Sequence, residues 1–330
     1  MILNSLQTAQ ALPYANLAAE IAQLLQDPSV HVPARMVQAL PGGGSLFVMP
    51  AHDARIAMTK LITYTPANAF PANASRGLPT IMGDVLVFDN ATGQRLGLLD
   101  GPTVTARRTA AVSLLAAQKL AAQPAGPLLI VGAGVQGRAH LEAFVTGPHT
   151  PEHTPEHMRQ AHADAPIREV LVYSRSTSSA QQLVQHAKAL FKLHKLQGTA
   201  SVVTDLYLAL PRCTLVVTCT NAQGQVLHIP ALLHRQAFVC AVGAFTPKMT
   251  ELSPSVVQHL AAHGRIFVDT ADAAHEAGDL IQAGIDVSAC ATLQSAVQQP
   301  PLQRGLTLFK SCGWAGWDLA AARLAMPAAQ

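Results

Sequence analysis

The feature that most constrains this 330-residue chain is a short apolar run that passes directly into a glycine pattern. Pro127-Leu128-Leu129-Ile130-Val131 reads as a buried strand and is followed by Gly132-Ala133-Gly134-Val135-Gln136-Gly137. Arg138 to Phe144 then continues as a helix. A G-x-G-x-x-G pattern alone is weak; between a strand and a helix it marks a dinucleotide-binding turn. Gly132 allows the tight turn, Gly134 lets the backbone approach a pyrophosphate, and Gly137 permits close helix–strand packing. Ala133, Val135 and Gln136 complete the loop, whose phosphates would rest on the helix N-terminus.

From this point the chain repeats strand and helix, with strands expected at 127–131, 169–173, 214–219, 237–242 and 265–269. That rhythm predicts an α/β fold, a Rossmann-type doubly wound parallel sheet. Before it, 45–49, 57–64, 83–88 and 95–99 read as strands, the last two forming a hairpin across Asp89–Gly93. A helix is expected from Thr105 to about Ala122, with Thr103 or Thr105 as its cap. The expected strand 169–173 ends in Ser174-Arg175-Ser176, where a ribose-binding carboxylate would otherwise stand. A guanidinium flanked by hydroxyls suits a 2′-phosphate, so NADPH is expected, with NADH also possible. Thr218, Thr220 and Asn221 end the 214–219 strand at the sheet edge where cofactor contacts gather.

Only 12% of the residues are charged, about half the usual share. The formal net charge is +3, and no Lys/Arg stripe is present, which argues against a nucleic-acid partner and against disorder. Arg35 is the first basic residue, so no secretory leader is expected, and no apolar run approaches a membrane span. Five scattered cysteines without a C-x-x-C pair point to reduced thiols, and the cytoplasm is the expected location. A polar stretch carries His149, His153, His157 and His162. Two prolines interrupt it, so a solvated insertion is expected there rather than a metal site.

Several further segments occur in a fixed order. They are Arg108-Thr109-Ala110-Ala111, Val242-Gly243-Ala244-Phe245 leading to Thr250-Glu251-Leu252, Glu276-Ala277-Gly278-Asp279-Leu280, and Thr307-Leu308-Phe309-Lys310-Ser311 ending in Asp318-Leu319-Ala320. Together these resemble the ornithine cyclodeaminase/mu-crystallin family from Arg35 to Ala325. The resemblance implies a homodimer of two-domain chains. Residues 1–115 with 305–330 would form an α+β dimerisation and substrate domain completed by the C-terminal helix, and 116–304 the NAD(P)-binding domain. It also implies that Arg35, Lys60 and Arg108 clamp a substrate carboxylate. Lys60 lies in an otherwise apolar strand, and Arg108 is expected in the first turn of a helix, where a cation opposes the dipole. Thr109, Val242, Gly243, Lys310 and Ser311 are implied as cofactor contacts.

Departures from the family pattern bear on the reaction. Cyclodeaminases of the family carry a carboxylate where this chain has Phe47, and another where it has Phe245. Without them, the resemblance favours the branch that reduces Δ1-pyrroline-2-carboxylate to L-proline and Δ1-piperideine-2-carboxylate to L-pipecolate. The small cyclic imino acid would be held by the three cations, with Phe47 and Phe245 lining its ring pocket. A proton for the imine nitrogen would come from solvent, Lys60 or Thr80. Ornithine cyclodeamination, an alanine dehydrogenase-type reaction and a non-catalytic NADPH-binding crystallin-like role are the alternatives.

Overall fold

The computed structural model describes residues 1–69, 77–147, 167–221, 223–302 and 304–326; the histidine-bearing stretch lies outside them. The chain divides into two compact units, Met1–Arg108 with Ala315–Gln330, and Thr109–Trp314.

The first unit is built on a six-stranded sheet. Its elements are β1 (Ile2–Leu3), α1 (Ser5–Ala11), α2 (Tyr14–Leu24), β2 (Met36–Leu40), β3 (Gly44–His52), β4 (Ile56–Tyr64), β5 (Ile81–Asp89) and β6 (Arg95–Asp100). The sheet order is β1-β6-β5-β4-β3-β2, antiparallel except for the β1–β6 pair. Residues directly opposite on neighbouring strands share a face, so Met49, Lys60, Val85 and Leu99 form one row across the sheet. All four are buried, a lysine among three apolar neighbours. The C-terminal helix, Ala315–Ala325, packs on β3, β4, β5 and α2. Arg323 of that helix reaches Asp53 at 2.5 Å, Asp27 at 2.6 Å and Glu20 at 3.5 Å. Burial pushes the Asp53 carboxyl up, but the Ile56 and Arg55 amides and the Arg323 guanidinium outweigh it and hold the carboxyl below its usual range.

β6 runs straight into α3 (Gly101–Leu120). The helix therefore begins earlier than expected, and its cap is neither Thr103 nor Thr105. Asp100 accepts from the Thr103 amide at 2.9 Å and from the Thr103 hydroxyl. Arg108 consequently lies about two turns inside the helix, too far from its end for the dipole to matter. The division between the units falls within α3.

In the second unit every strand of the large sheet is parallel. In chain order its elements are β7 (Leu128–Val131), α4 (Val135–Thr146), β8 (Glu169–Tyr173), α5 (Thr177–Leu193), β9 (Thr199–Val202), α6 (Leu206–Ala209), β10 (Leu215–Thr218), β11 (Gln223–Leu227), β12 (Phe238–Ala241), β13 (Thr250–Leu252), α7 (Pro254–His263), β14 (Gly264–Val268), α8 (Gly278–Gln282), β15 (Ala291–Thr292), α9 (Leu293–Val297) and β16 (Leu306–Lys310). Its order is β15-β14-β16-β12-β10-β7-β8-β9, with β11 and β13 forming a separate pair. Strands β7, β10 and β12 are buried along their whole length, as parallel strands covered on both faces must be. In α5, Ala180, Leu183, Val184, Ala187, Leu190 and Phe191 make one buried stripe, and Ser176 caps the helix by accepting from Ser179 N at 3.2 Å. The segment 306–310, expected with the first domain, is instead β16, inserted between β12 and β14; all five of its residues are buried. The chain leaves the parallel sheet after Lys310, and the second unit extends to Trp314, past the boundary expected at 305.

The five cysteines form no disulfide, and four of them are buried. Among the described residues, no helix is long and apolar enough to cross a membrane. Replacing Arg323 by Met is expected to destabilise the first unit by about 3 kcal/mol, because Asp53 then remains buried without its cation; urea unfolding followed by circular dichroism measures the loss.

Candidate active site

The second unit presents a cavity of about 430 Å³ at the carboxyl ends of β7, β8 and β10. Strand order reverses there, because β8 and β9 follow on one side of β7 while β10 and β12 lie on the other. Such switch points are where open parallel sheets bind ligands. Gly132, Ala133, Gly134, Ser174, Arg175, Thr220 and Asn221 line it. Tyr173, Cys219 and the Gly224–Val226 segment join them without having been signalled by any motif.

Each glycine of the loop has its own reason. Gly132 has φ +117°, and an added Cβ would lie 2.7 Å from the Cys219 carbonyl oxygen. A Cβ on Gly137 would lie 2.0 Å from the Gly132 oxygen. One on Gly134 would meet no protein atom within 4 Å; it would enter open space beside the loop. Gly134 also begins α4 without a side-chain cap, and no acidic residue lies in the first turn. The uncapped amides and the space before them fit a dinucleotide pyrophosphate. Below the loop, His140 Nδ1 donates to the Gln136 carbonyl at 2.7 Å, and Ser113 Oγ lies 2.9 Å from His140 Nε2. Burial pushes the His140 imidazole down to about 4, so it braces α4 as a neutral ring.

Arg175 is exposed at the end of β8 and its Nη2 donates to Asn221 Oδ1 at 3.4 Å. Ser176 is committed to capping α5. Val135 and Gln136 follow in the first turn of α4. Other expected contacts lie off the cavity wall. Thr218 is fully buried and donates to Glu251 Oε2 at 2.9 Å, Gly243 N donates to the same oxygen at 2.7 Å, and Val242 N donates to the Thr218 carbonyl at 3.0 Å. Thr109 is buried on α3. Lys310 is fully buried, at 3.0 Å from Asp279 Oδ2 and donating at 2.6 Å to the Ala244 carbonyl. Ser311 donates to Asp269 Oδ2 at 2.8 Å. Both residues have interior partners, and neither lines the cavity.

The first unit carries the basic cluster. Lys60 Nζ lies 3.0 Å and 2.8 Å from the two carboxylate oxygens of Asp318, on the C-terminal helix. Arg108 Nε lies 3.3 Å from the same carboxylate, yet its hydrogen finds no acceptor among the described residues. Arg35 sits half-buried just before β2 and its charge acts on Lys60. Burial above all, then the guanidinium charges of Arg108 and Arg35, push the Lys60 ammonium down to about 8, with Asp318 opposing them. Two buried cations thus share one carboxylate, and the surplus positive charge fits an anionic ligand. Phe47 lies on the same sheet face as Lys60, paired with Ile62 one step along.

Thr80 is not brought to this cluster. Its carbonyl accepts from the Thr65 amide just past the end of β4, five residues from Lys60, or about 17 Å of extended chain. Phe245 lies half-buried in the second unit, just after β12. Asp318 was missed as a site residue, although an acid alone in the apolar Trp317-Asp318-Leu319-Ala320 run is a readable signal of a buried partner.

These features define a Rossmann-type dinucleotide-binding protein whose other unit carries a buried basic cluster. The ornithine cyclodeaminase/mu-crystallin family model matches residues 10–329, and the chain belongs to that family. It is 35% identical to Delta(1)-pyrroline-2-carboxylate reductase 1 of Burkholderia multivorans, over 99% of this chain and 95% of the relative. It is 34% identical to the Delta(1)-pyrroline-2-carboxylate/Delta(1)-piperideine-2-carboxylate reductase of Azospirillum brasilense, over the same shares of the two chains. Its fold is that of the Thermococcus litoralis Delta(1)-pyrroline-2-carboxylate reductase solved with NADH and L-proline, with TM-score 0.76, 23% identity, and 98% and 93% of the two chains covered. It is also that of an archaeal alanine dehydrogenase dimer with bound NAD, with TM-score 0.79, 22% identity, and 99% and 94% covered.

The two glycines separate binding from folding. Gly134→Val is expected to abolish dinucleotide binding by calorimetry while leaving the melting temperature within about 2 °C, because its side chain meets only ligand space. Gly137→Val is expected to lower the melting temperature itself.

Proposed function

We propose that this protein reduces cyclic imino acids, Δ1-pyrroline-2-carboxylate to L-proline and Δ1-piperideine-2-carboxylate to L-pipecolate, with a nicotinamide cofactor. The observation that carries the reading is Phe47, an apolar ring on the same sheet face as Lys60. A deaminating site needs a carboxylate to manage ammonia and water; a ring-binding reductase needs an anion clamp beside an apolar wall. The names of the curated relatives support the same choice.

A bound nicotinamide supplies the hydride that the imine carbon accepts. Lys60 and Arg108, helped by Arg35, hold the substrate carboxylate with the positive charge that Asp318 leaves unneutralised. Fixing that carboxylate orients the ring, and orientation is the larger part of what a hydride acceptor requires. The imine nitrogen takes its proton from solvent or from the Lys60 ammonium, whose lowered pKa suits it to give one up. Phe47 covers the ring and excludes water; Phe245 is assigned the same task.

NADPH is proposed as the preferred cofactor, on the strength of exposed Arg175 between two serines and the lack of a carboxylate in Ser174-Arg175-Ser176. A homodimer is proposed as the working form. β2 is an edge strand whose Met36 and Val37 are 55% and 51% exposed, and Leu61 and Met82 leave further apolar surface on the same sheet.

Cofactor oxidation with either imino acid, without added ammonia, is the expected result; no turnover with both ring sizes would refute the proposal, and ammonia release from ornithine would replace it. Lys60→Met and Arg108→Met are each expected to lower kcat/KM about a hundredfold, the cost of losing one side of a buried charge contact. The kcat/KM profile is expected to fall on the alkaline side with a pKa of about 8, because Lys60 holds the substrate only while protonated. Arg175→Ala is expected to cost NADPH about tenfold more affinity than NADH.

A further inference from the structure

The carboxyl edge of the parallel sheet contains a carboxylate that the proposed reaction does not use. Glu251, in β13, is fully buried. Its Oε1 accepts from Thr220 N at 2.7 Å and Thr220 Oγ1 at 2.9 Å. Its Oε2 accepts from Gly243 N at 2.7 Å and Thr218 Oγ1 at 2.9 Å. The backbone N–H of Glu251 donates to Asp279 Oδ1 at 2.6 Å, and Asp279 pairs with Lys310 at 3.0 Å. The side chain is therefore fixed at its root as well as at its tip. The fit is close enough that a Cβ at residue 243 would lie 2.4 Å from Oε1, so only glycine is accommodated there.

The donors have a common location. Thr218 ends β10, Thr220 follows it and lines the cavity, and Gly243 follows β12. A dinucleotide with its pyrophosphate at the β7–α4 turn directs its adenosine toward β8 and its other nucleoside toward β10 and β12. We infer that Glu251 is a positioning residue, whose carboxylate holds the ends of β10 and β12 in the shape that receives the nicotinamide half of the cofactor. The inference rests on the reading of this cavity as a dinucleotide site.

The chemistry demands a carboxylate. Each of its oxygens faces one backbone N–H, from Thr220 on one side and Gly243 on the other. A threonine hydroxyl can rotate to accept, but a backbone N–H can only donate. Glutamine has the same shape but presents an NH2 on one side, so either flip sets N–H against N–H and releases one strand end. The phosphate turn at Gly132–Gly137 and the Ser174-Arg175 segment have no contact with Glu251 among its hydrogen bonds and keep their form.

The test titrates wild type, Glu251→Gln and Thr218→Val with NADH, NADPH and ADP by calorimetry; ADP carries only the adenosine half. Glu251→Gln is expected to weaken the dinucleotides about tenfold or more while ADP affinity stays within about twofold. Thr218→Val, which removes one buried donor and lies off the cavity wall, is expected to weaken the dinucleotides about threefold with ADP again unchanged. Unchanged dinucleotide affinity, or an equal loss of ADP, overturns the inference, and Thr218→Val decides the matter should Glu251→Gln not fold. Wild-type protein that binds neither dinucleotide overturns the underlying reading instead.

Discussion

Asp318 is the charge on which the first unit depends. It is fully buried, and the two cations it serves, Lys60 on the sheet and Arg108 on α3, are buried with it. Moving three charged groups out of water is costly, and that cost is offset only where they meet with short, directed contacts. The contact therefore selects one seating of the C-terminal helix on β3–β5, and Arg323 further along the same helix repeats the device with Asp53 and Asp27. The same arithmetic leaves a positive remainder, because one carboxylate cannot neutralise two cations. An architecture that holds its helix with a surplus of buried positive charge has already made most of an anion site.

The second unit uses buried acids differently. Asp279 accepts from the Glu251 and Leu252 amides, Glu251 accepts from the ends of β10 and β12, and Asp269 accepts from the Cys312 and Gly313 amides. Parallel strands end in carbonyls and amides that have no next strand residue to pair with. Interior carboxylates take up the amides, and the Lys310 ammonium takes up the Ala241 and Ala244 carbonyls. Burial raises the Glu251 carboxyl above its usual range, against the pull of Lys310 and the two amides. Loops closed in this way need no large apolar side chains, which leaves their outer faces open for a ligand.

Much of this was legible in the chain because it depends on local pattern. The glycine turn, the buried strands on either side of it and the hairpin at 83–99 are all set by neighbouring residues, and they appear where the pattern places them. Lys60 was also legible as an unusual position, since it interrupts an apolar strand; Arg108 was not placed correctly, because its helix begins at Gly101. What local pattern does not carry is pairing across distance. The 306–310 run looks like a motif beside a cofactor, but insertion between β12 and β14 buries both Lys310 and Ser311. Thr80 was expected beside Lys60 as a proton source, yet its carbonyl pairs with the Thr65 amide, five residues further along the chain from Lys60. Asp318 lies 258 positions from Lys60, and no rule of spacing connects them.

The discontinuity of the first unit has a consequence for how the molecule is made. Its sheet emerges first during synthesis, carrying Lys60 and then Arg108, but the acid that both of them contact is encoded after the whole parallel domain. Until the last turns of chain are available, closing that core would strand two cations in an apolar interior. The parallel unit, whose buried acids and lysine all lie between Thr109 and Trp314, has no such wait. Order of synthesis and order of completion are therefore opposite: the part begun first is finished last, and a chain truncated before Ala315 would hold a complete second unit and a first-unit sheet without its covering helix.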